Sequence, residues 1–339
     1  MYVIGLDIGG ANIKSADCNG VAHASSFELW KTPELLKQKL QEILTLYQQP
    51  DLVAVTMTGE LADCFQSKAE GVETLLSATE QAVAPVPVVV WQTGAEFLTT
   101  AHAREFPFLA AAANWHALAT WLGRMIPEQS GVLIDIGSTT TDIIPIQEGV
   151  PVPEGLTDVE RLLSGELVYT GGRRTPVAMI ERSVPLHGQP CPMAAECFAT
   201  ALDLYLLLED IDENESDTET ANGRPATRFD AYDRISRSVC CDISEITRPE
   251  AVAMATFLAK RQQQQISEAV DQVLGRMTEP PSTVLVSGSA VFLAEKVVES
   301  HPILSQASLT NVAKIFDGSI ADSACAFAVA RLGAERVRF

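Results

Sequence analysis

Gly5-Leu-Asp-Ile-Gly-Gly10 closes one short apolar run of this chain, and Ile134-Asp-Ile-Gly-Ser138 closes another. Each reads as a β-strand that ends in an aspartate, one apolar residue and a glycine turn. The runs that follow, Asn12–Asp17 and Thr141–Ile146, read as the returning strands of two hairpins. A pattern repeated in this way predicts an internal duplication, with one copy in each of two lobes. An aspartate at the carboxyl end of a strand lies where open α/β sheets hold their ligands. Gly9 and Gly10 are expected to allow positive φ and to leave no Cβ between backbone N–H groups and an anion.

Around the first hairpin, strands and helices alternate. Met1–Asp7 and Ala22–Trp30 read as strands, and Thr32-Pro33 as the cap and first position of a helix carrying Leu35, Leu36, Leu40, Ile43, Leu44 and Tyr47 at helical spacing. Strands at Leu52–Met57 and Val86–Trp91, with helices at 69–82 and 111–125, complete this part. Around the second hairpin, 149–237 reads as a loop-rich insertion. A long helix from Pro249 to about Met277, a strand at Thr283–Val286 and a small-residue helix at Asp322–Leu332 follow. The predicted fold class is α/β, two lobes with mixed sheets flanked by helices and a ligand cleft between them. The first lobe is expected over 1–126, completed by the C-terminal helix 322–339, and the second over 130–321.

The 339 residues suit two domains, and the 47% hydrophobic content suits a globular enzyme. Against 24 basic residues stand 44 acidic ones, a net charge near −20, so nucleic acid and anionic membrane are poor partners. Part of the excess lies in Glu209–Glu219, which reads as a solvated loop. No secretory signal and no apolar run of about 18 residues is seen. The scattered cysteines suit reduced thiols, and a cytoplasmic protein is expected. His187, Cys191 and Cys197 lie close in sequence, but without a CxxC or a second ligand pair they do not read as a zinc site. Trp115 and Cys240-Cys241 read as buried packing.

The chemistry is expected at the hairpins. Asp7 and Asp135, facing across the cleft, suit a hydrated Mg²⁺ on a di- or triphosphate. Gly9, Gly10, Asn12 and Lys14 on one side, and Gly137, Ser138, Thr139 and Thr140 on the other, offer N–H groups, hydroxyls and a cation to phosphate. Ser287-Gly288-Ser289 is a third turn whose N–H groups suit a phosphate or a nucleoside. One such hairpin is often a plain tight turn; three turns in this order point to a phosphate cleft.

Asp7-Ile-Gly-Gly, Asp135-Ile-Gly-Ser-Thr-Thr and Val286-Ser-Gly-Ser resemble the two phosphate motifs and the adenosine motif of the actin, sugar-kinase and heat-shock-70 ATPase superfamily, which implies two ribonuclease-H-like lobes. Within it the chain looks most similar to the hydantoinase/oxoprolinase-related branch. The closest resemblance is to a group linked to tetrahydromethanopterin-dependent one-carbon metabolism, the methanofuran-precursor synthases. That resemblance is carried by Gly9–Lys14, Thr58–Asp63, Ala113-Asn-Trp115, Gly172-Arg-Arg-Thr-Pro176 and Ala194–Thr200 with Asp203.

The resemblance implies a transferase that joins an aminomethyl-furanmethanol diphosphate to the phenol of γ-glutamyltyramine and releases pyrophosphate. Its partners are then a small-molecule diphosphate and a phenolic acceptor, with Mg²⁺ as cofactor and ATP not required. A phenol of ordinary pKa about 10 profits from a base. Glu60, Asp142 and Asp203 are the candidates, and Arg173 and Arg174 suit a carboxylate or phosphate clamp. Alternatives that stay open are an ATP-dependent kinase or amide hydrolase, a non-catalytic nucleotide-binding protein, and a homo-oligomeric state.

Overall fold

The computed structural model describes residues 1–316 and 318–337. The chain begins β1 (Val3–Ile8), β2 (Asn12–Asp17), β3 (Ala22–Ser26), α1 (Leu36–Leu44), β4 (Leu52–Met57), α2 (Lys68–Val83), β5 (Val88–Trp91) and β6 (Phe97–Thr99). Helices α3 (Thr100–Glu105), α4 (Pro107–Ala110) and α5 (Asn114–Gly123) follow. The second half opens with β7 (Ser130–Ile136), β8 (Thr141–Gln147), β9 (Val150–Pro151), α6 (Asp158–Ser164) and β10 (Leu167–Val168). Next come α7 (Val177–Ile180), the hairpin β11 (Ser183–Leu186) and β12 (Gln189–Pro192), α8 (Ala201–Leu207), α9 (Arg228–Arg237) and the long α10 (Arg248–Leu274). The chain continues through β13 (Thr283–Ser287), α11 (Val291–Ser300), β14 (Ser308–Asn311), α12 (Val312–Ile315), α13 (Gly318–Asp322) and α14 (Ala324–Arg336).

The duplication extends well beyond the hairpins. One sheet runs β3-β2-β1-β4-β5-β6 and the other β10-β8-β7-β13-β14. In both, an antiparallel hairpin is followed by parallel neighbours: β1 pairs with β4 as β7 pairs with β13. β1 and β4 are buried along their whole length, as expected of strands covered on both faces. The layer between the sheets is made by α5 and α14, whose Leu118, Leu122, Val329 and Leu332 share one core with Val3 and Leu52 of the first sheet and Leu133 and Ile144 of the second. The outer face of the first sheet is covered by α1 and α2, that of the second by α10 and α11. α14 lies so close on β1 that a Cβ at Gly5 would sit 2.0 Å from the Ala326 carbonyl oxygen. Gly5 is the residue that permits this approach.

Three expectations are corrected. The strand predicted over Ala22–Trp30 stops at Ser26, because the Phe27 and Leu29 amides donate back to Ala11 O and Gly10 O on the first hairpin turn. Thr32-Pro33 opens a 3₁₀ turn over Pro33–Leu35 without a side-chain cap, and the α-helix starts at Leu36. The stretch 149–237 is more than a loop-rich insertion. It holds α6 to α9 and a hairpin, and its Val177, Ile180, Leu202 and Ile235 build a separate core with Met254 and Leu258 of α10. Its helices are short and their apolar faces meet only in three dimensions, so periodicity does not reveal them. Glu209–Glu219 does remain irregular.

Candidate active site

The two hairpins match atom for atom in their bonding. Gly9 N donates to Asn12 O at 3.0 Å, and Gly137 N to Thr140 O at 2.9 Å. Asp7 lies opposite Lys14 in the first ladder, and Asp135 opposite Asp142 in the second. On the parallel side Asp7 is in register with Thr56, and Asp135 with Ser287. The turns after those strands also correspond: Gly59 N donates to Ile8 O, and Ala290 N to Ile136 O. None of Gly9, Gly10 and Gly137 adopts positive φ, so conformational freedom is not why they are glycines. Space is the reason at Gly9. A Cβ at Gly9 would lie 2.8 Å from Asn12 O, and a second position at which a Cβ is excluded is Gly171, 2.6 Å from Gly137 O, whereas one at Gly10 would meet no atom within 4 Å. Gly288 does have positive φ, at +96°, and its Cα faces Ile136 O and Asp135 Oδ1.

Burial raises the Asp7 carboxyl to about 6, with the Lys14 charge and the Asn114 side chain offsetting part of that rise. Burial also raises Asp135 to about 6, helped by the negative charges of Asp142 and Asp7 and opposed by Lys14 and by the nearby Ser287 hydroxyl, which does not reach hydrogen-bond geometry. Both groups therefore feel the same lysine. Oδ1 of each is buried with no hydrogen-bond partner among the described residues, and so are the Thr56 and Ser287 hydroxyls beside them. Buried oxygens of this kind are costly unless something completes them. Two carboxylates with orphaned oxygens fit a hard, water-carrying cation such as Mg²⁺ better than they fit any protein partner present. No group of three or more His, Cys, Asp or Glu side chains able to hold a metal exists among the described residues.

The three expected bases part company. Glu60 is 1% exposed, its Oε2 has no partner, and burial raises it to about 7. It lies near the Lys68–Asp158 ion pair (2.9 Å), which joins the start of α2 to the start of α6 and so ties the two halves together. The helix that follows it is capped by Ser67, so Glu60 has no capping duty. Asp142, by contrast, is bound by the Arg161 guanidinium at 2.5 Å, with that guanidinium stacked 3.9 Å over the Trp115 ring. Asp203 is fully buried, takes two guanidinium nitrogens of Arg234 at 2.7 Å, and closes the capping box of α8 with Thr200. Burial pushes both carboxyls up and the arginines pull them back. Each is engaged in a buried ion pair: both oxygens of Asp203 are taken, by Arg234 and by Thr200 N, and Oδ1 of Asp142 is taken by Arg161.

Arg173 and Arg174 lie on a loop that clasps the second turn. Gly172 N donates to Gly137 O, and Arg173 N and Arg174 N to Ser138 O. The Arg173 side chain is held by Asp217 at 2.7 Å and Glu219 O at 3.0 Å, while Arg174 is exposed. Glu219 also accepts from Ser26 Oγ, so the acidic run reaches the first sheet instead of standing wholly in solvent. Asn12, Lys14, Ser138, Thr139 and Thr140 are all half-buried around the turns, and Ser289 is exposed at the third turn. Residues that sequence reading missed are Thr56 and Asn114, both beside Asp7, and Cys325 on α14, whose thiol is pushed up by burial and by the charges of Asp7 and Asp135. A signal for Thr56 existed in the duplication itself, since it stands where Ser287 stands. His187 pairs with Glu250, Trp115 is core, and Cys240 is exposed rather than buried because it sits in a turn with φ of +60°.

The hydantoinase/oxoprolinase family profile matches residues 51–336. The chain belongs to the hydantoinase/oxoprolinase family. One curated relative within reach of this hydantoinase/oxoprolinase chain is the (4-{4-[2-(gamma-L-glutamylamino)ethyl]phenoxymethyl}furan-2-yl)methanamine synthase of Methanocaldococcus jannaschii. It is 32% identical over 336 residues, 98% of this chain and 97% of the relative. The protein of the same description from Methanococcus vannielii is 35% identical over 128 residues, 38% of this chain and 57% of that one. A nucleotide-free acetone carboxylase structure aligns with 99% of this chain and 70% of its own at a TM-score of 0.52 and 10% identity. An archaeal actin homologue aligns with 99% of this chain and 100% of its own at a TM-score of 0.47 and 13% identity. At 10% identity the likeness of this hydantoinase/oxoprolinase member to the acetone carboxylase is one of fold alone. No helix among the described residues is long and apolar enough to cross a membrane.

Proposed function

We propose that this protein is a transferase that joins a furfuryl diphosphate, aminomethyl-furanmethanol diphosphate, to the phenol of γ-glutamyltyramine, releasing pyrophosphate in methanofuran-type cofactor synthesis. The observation that carries the reading is the pair Asp7 and Asp135, two carboxylates each with a buried, unpartnered Oδ1 at matched glycine turns. The synthase from M. jannaschii, similar along nearly the whole chain, supports it. The product in that relative's name contains a furan–CH₂–O–aryl ether, the bond such a reaction makes.

The carbon–oxygen bond between the furan CH₂ and the diphosphate breaks with its electron pair leaving on the diphosphate oxygen. A phenol oxygen pair forms the new bond to that CH₂, and the phenol proton goes to a base. Gly9, Gly10, Gly137 and the hydroxyls of Ser138, Thr139 and Thr140 bind the diphosphate, with Lys14 as its cation. Asp7 and Asp135 would hold Mg²⁺, which neutralises charge on the departing pyrophosphate. Glu60 is the base: at about 7 it is part ionised at neutral pH and free to take a proton. Asp142 and Asp203 keep Arg161 and Arg234 paired.

The test is direct. Purified protein with Mg²⁺, the furfuryl diphosphate and γ-glutamyltyramine is expected to release one pyrophosphate per ether formed, without ATP. Hydrolysis of ATP with a hydroxyl or amide substrate and no ether would overturn the proposal.

A further inference from the structure

The second hairpin turn does not stand alone. Gly171 is packed against it, with a Cβ there reaching 2.6 Å from both Gly137 O and Thr139 N, and the three amides that follow bond to Gly137 O and Ser138 O. The position of this 170–175 loop is fixed from behind by one fully buried side chain on α10. Gln262 Nε2 donates to Thr170 Oγ1 at 2.7 Å and to Gly171 O at 2.9 Å. Because Gly171 O can only accept, the Nε2 end of the amide is fixed there, and Oε1 accepts from the Tyr205 hydroxyl of α8 at 2.7 Å. Thr175 Oγ1 completes the set, accepting from Gly171 N at 2.9 Å and lying 3.2 Å from Thr170 Oγ1. Gln262 and Tyr205 are both 0% exposed, so every one of these bonds is shielded from water. An unmade bond there has no solvent replacement.

From this chain of contacts we infer that Gln262 is a positioning residue for diphosphate binding, acting through Gly171 and Gly172 on the Gly137–Thr140 turn, with Tyr205 anchoring it. Nothing in the residue's own neighbourhood demands an amide for packing: Val270 and Ile266 further along α10 are plain apolar contacts to the sheet. The inference rests on the proposed use of that turn to bind diphosphate.

Two readouts test it. Amide hydrogen exchange compares wild type with Gln262→Met and with Val270→Ala, a control that weakens the same helix elsewhere. Gln262→Met is expected to speed exchange at least tenfold at Gly172, Arg173 and Arg174 while β13 amides keep their protection, and Val270→Ala is expected not to do so. Inorganic pyrophosphate with Mg²⁺ is then titrated by calorimetry, with at least a tenfold loss of affinity expected in Gln262→Met, a smaller loss in Tyr205→Phe, and none beyond twofold in Val270→Ala. Unchanged exchange at the three amides, or equal loss of pyrophosphate affinity in the Val270→Ala control, overturns the inference. Wild-type protein that binds no pyrophosphate strikes the proposed function, and the exchange data then judge the positioning of the turn by itself.

Discussion

Asp7 and Asp135 are the same residue of one hairpin, present twice: each stands two positions before the turn glycine, and each keeps a buried Oδ1 without a partner. What differs is the residue across the ladder, Lys14 in one copy and Asp142 in the other. The first hairpin thus sets a cation opposite its aspartate, whereas the second sets a carboxylate paired with Arg161. A duplicated scaffold has become chemically asymmetric at one position.

Asp7→Asn and Asp135→Asn are expected to lower turnover by a factor of about 100 or more, in keeping with the loss of charge stabilisation at the leaving group. The fold should survive. Both carboxyls have pKa values raised above their unfolded values, so their ionisation costs stability in the ligand-free protein. That cost is absent below about 4, grows as pH rises, and is complete above about 6. Thermal melts in chelator should therefore show wild type losing stability between pH 4 and 7, with a shallower fall in each variant.

Glu60→Gln is expected to reduce kcat by about 100-fold or more, the scale of a lost general base. Wild-type kcat should rise with pH through about 7, the value to which burial raises this carboxyl, because only the ionised form accepts the phenol proton. The variant should lack that limb. A pH–rate profile from 5.5 to 9 measures both, and an unchanged limb in Glu60→Gln would move the base elsewhere.

Asp203→Asn should act on stability, not chemistry. It leaves the buried Arg234 charge without its partner, a change that costs about 3–5 kcal/mol. Urea unfolding should show the loss, while the folded fraction at low temperature keeps a kcat within a few-fold of wild type.

Gly10→Ala should do the reverse. A Cβ at Gly10 meets no protein atom within 4 Å, so the melting temperature is expected to stay within about a degree or two. Under the proposed use of this turn to bind diphosphate, the added methyl competes for that space, and pyrophosphate affinity should fall by about tenfold or more. Gly288→Ala is the contrasting case, since its Cβ would lie 2.2 Å from Ile136 O at a φ of +96°, and both folding and binding should suffer.

The hairpins are legible in sequence because strand, Asp, apolar residue and glycine form a local pattern, and β2 and β4 can be bounded to the residue for the same reason. The end of β3 cannot, since it is set by amides bonding to a turn some sixteen residues earlier. Asp142 and Asp203 read as free carboxylates because their arginines lie 19 and 31 residues further along, on helices that no short-range signal connects to them. Glu60 is legible as a carboxylate near the motif. Its burial and its unpartnered oxygen are not, because they arise where α2 folds back on the chain, with Gly71 packed against the Glu60 backbone. The Gln262 contacts lie beyond any reading of the sequence: a glutamine in a long amphipathic helix is ordinarily a surface residue.

The helix laid on Gly5 has a consequence for how the protein is made. β1 leaves the ribosome well before α14, the helix that covers it, because nearly all the other elements lie between them in the chain. At translation speeds of about 5–20 residues per second the first sheet waits on the order of tens of seconds with one apolar face uncovered. During that interval the nascent N-terminal half is a candidate client for chaperones, and ribosome-bound chains arrested before Ala324 should be cleaved by protease within β1 and β4 while chains released after Arg336 resist.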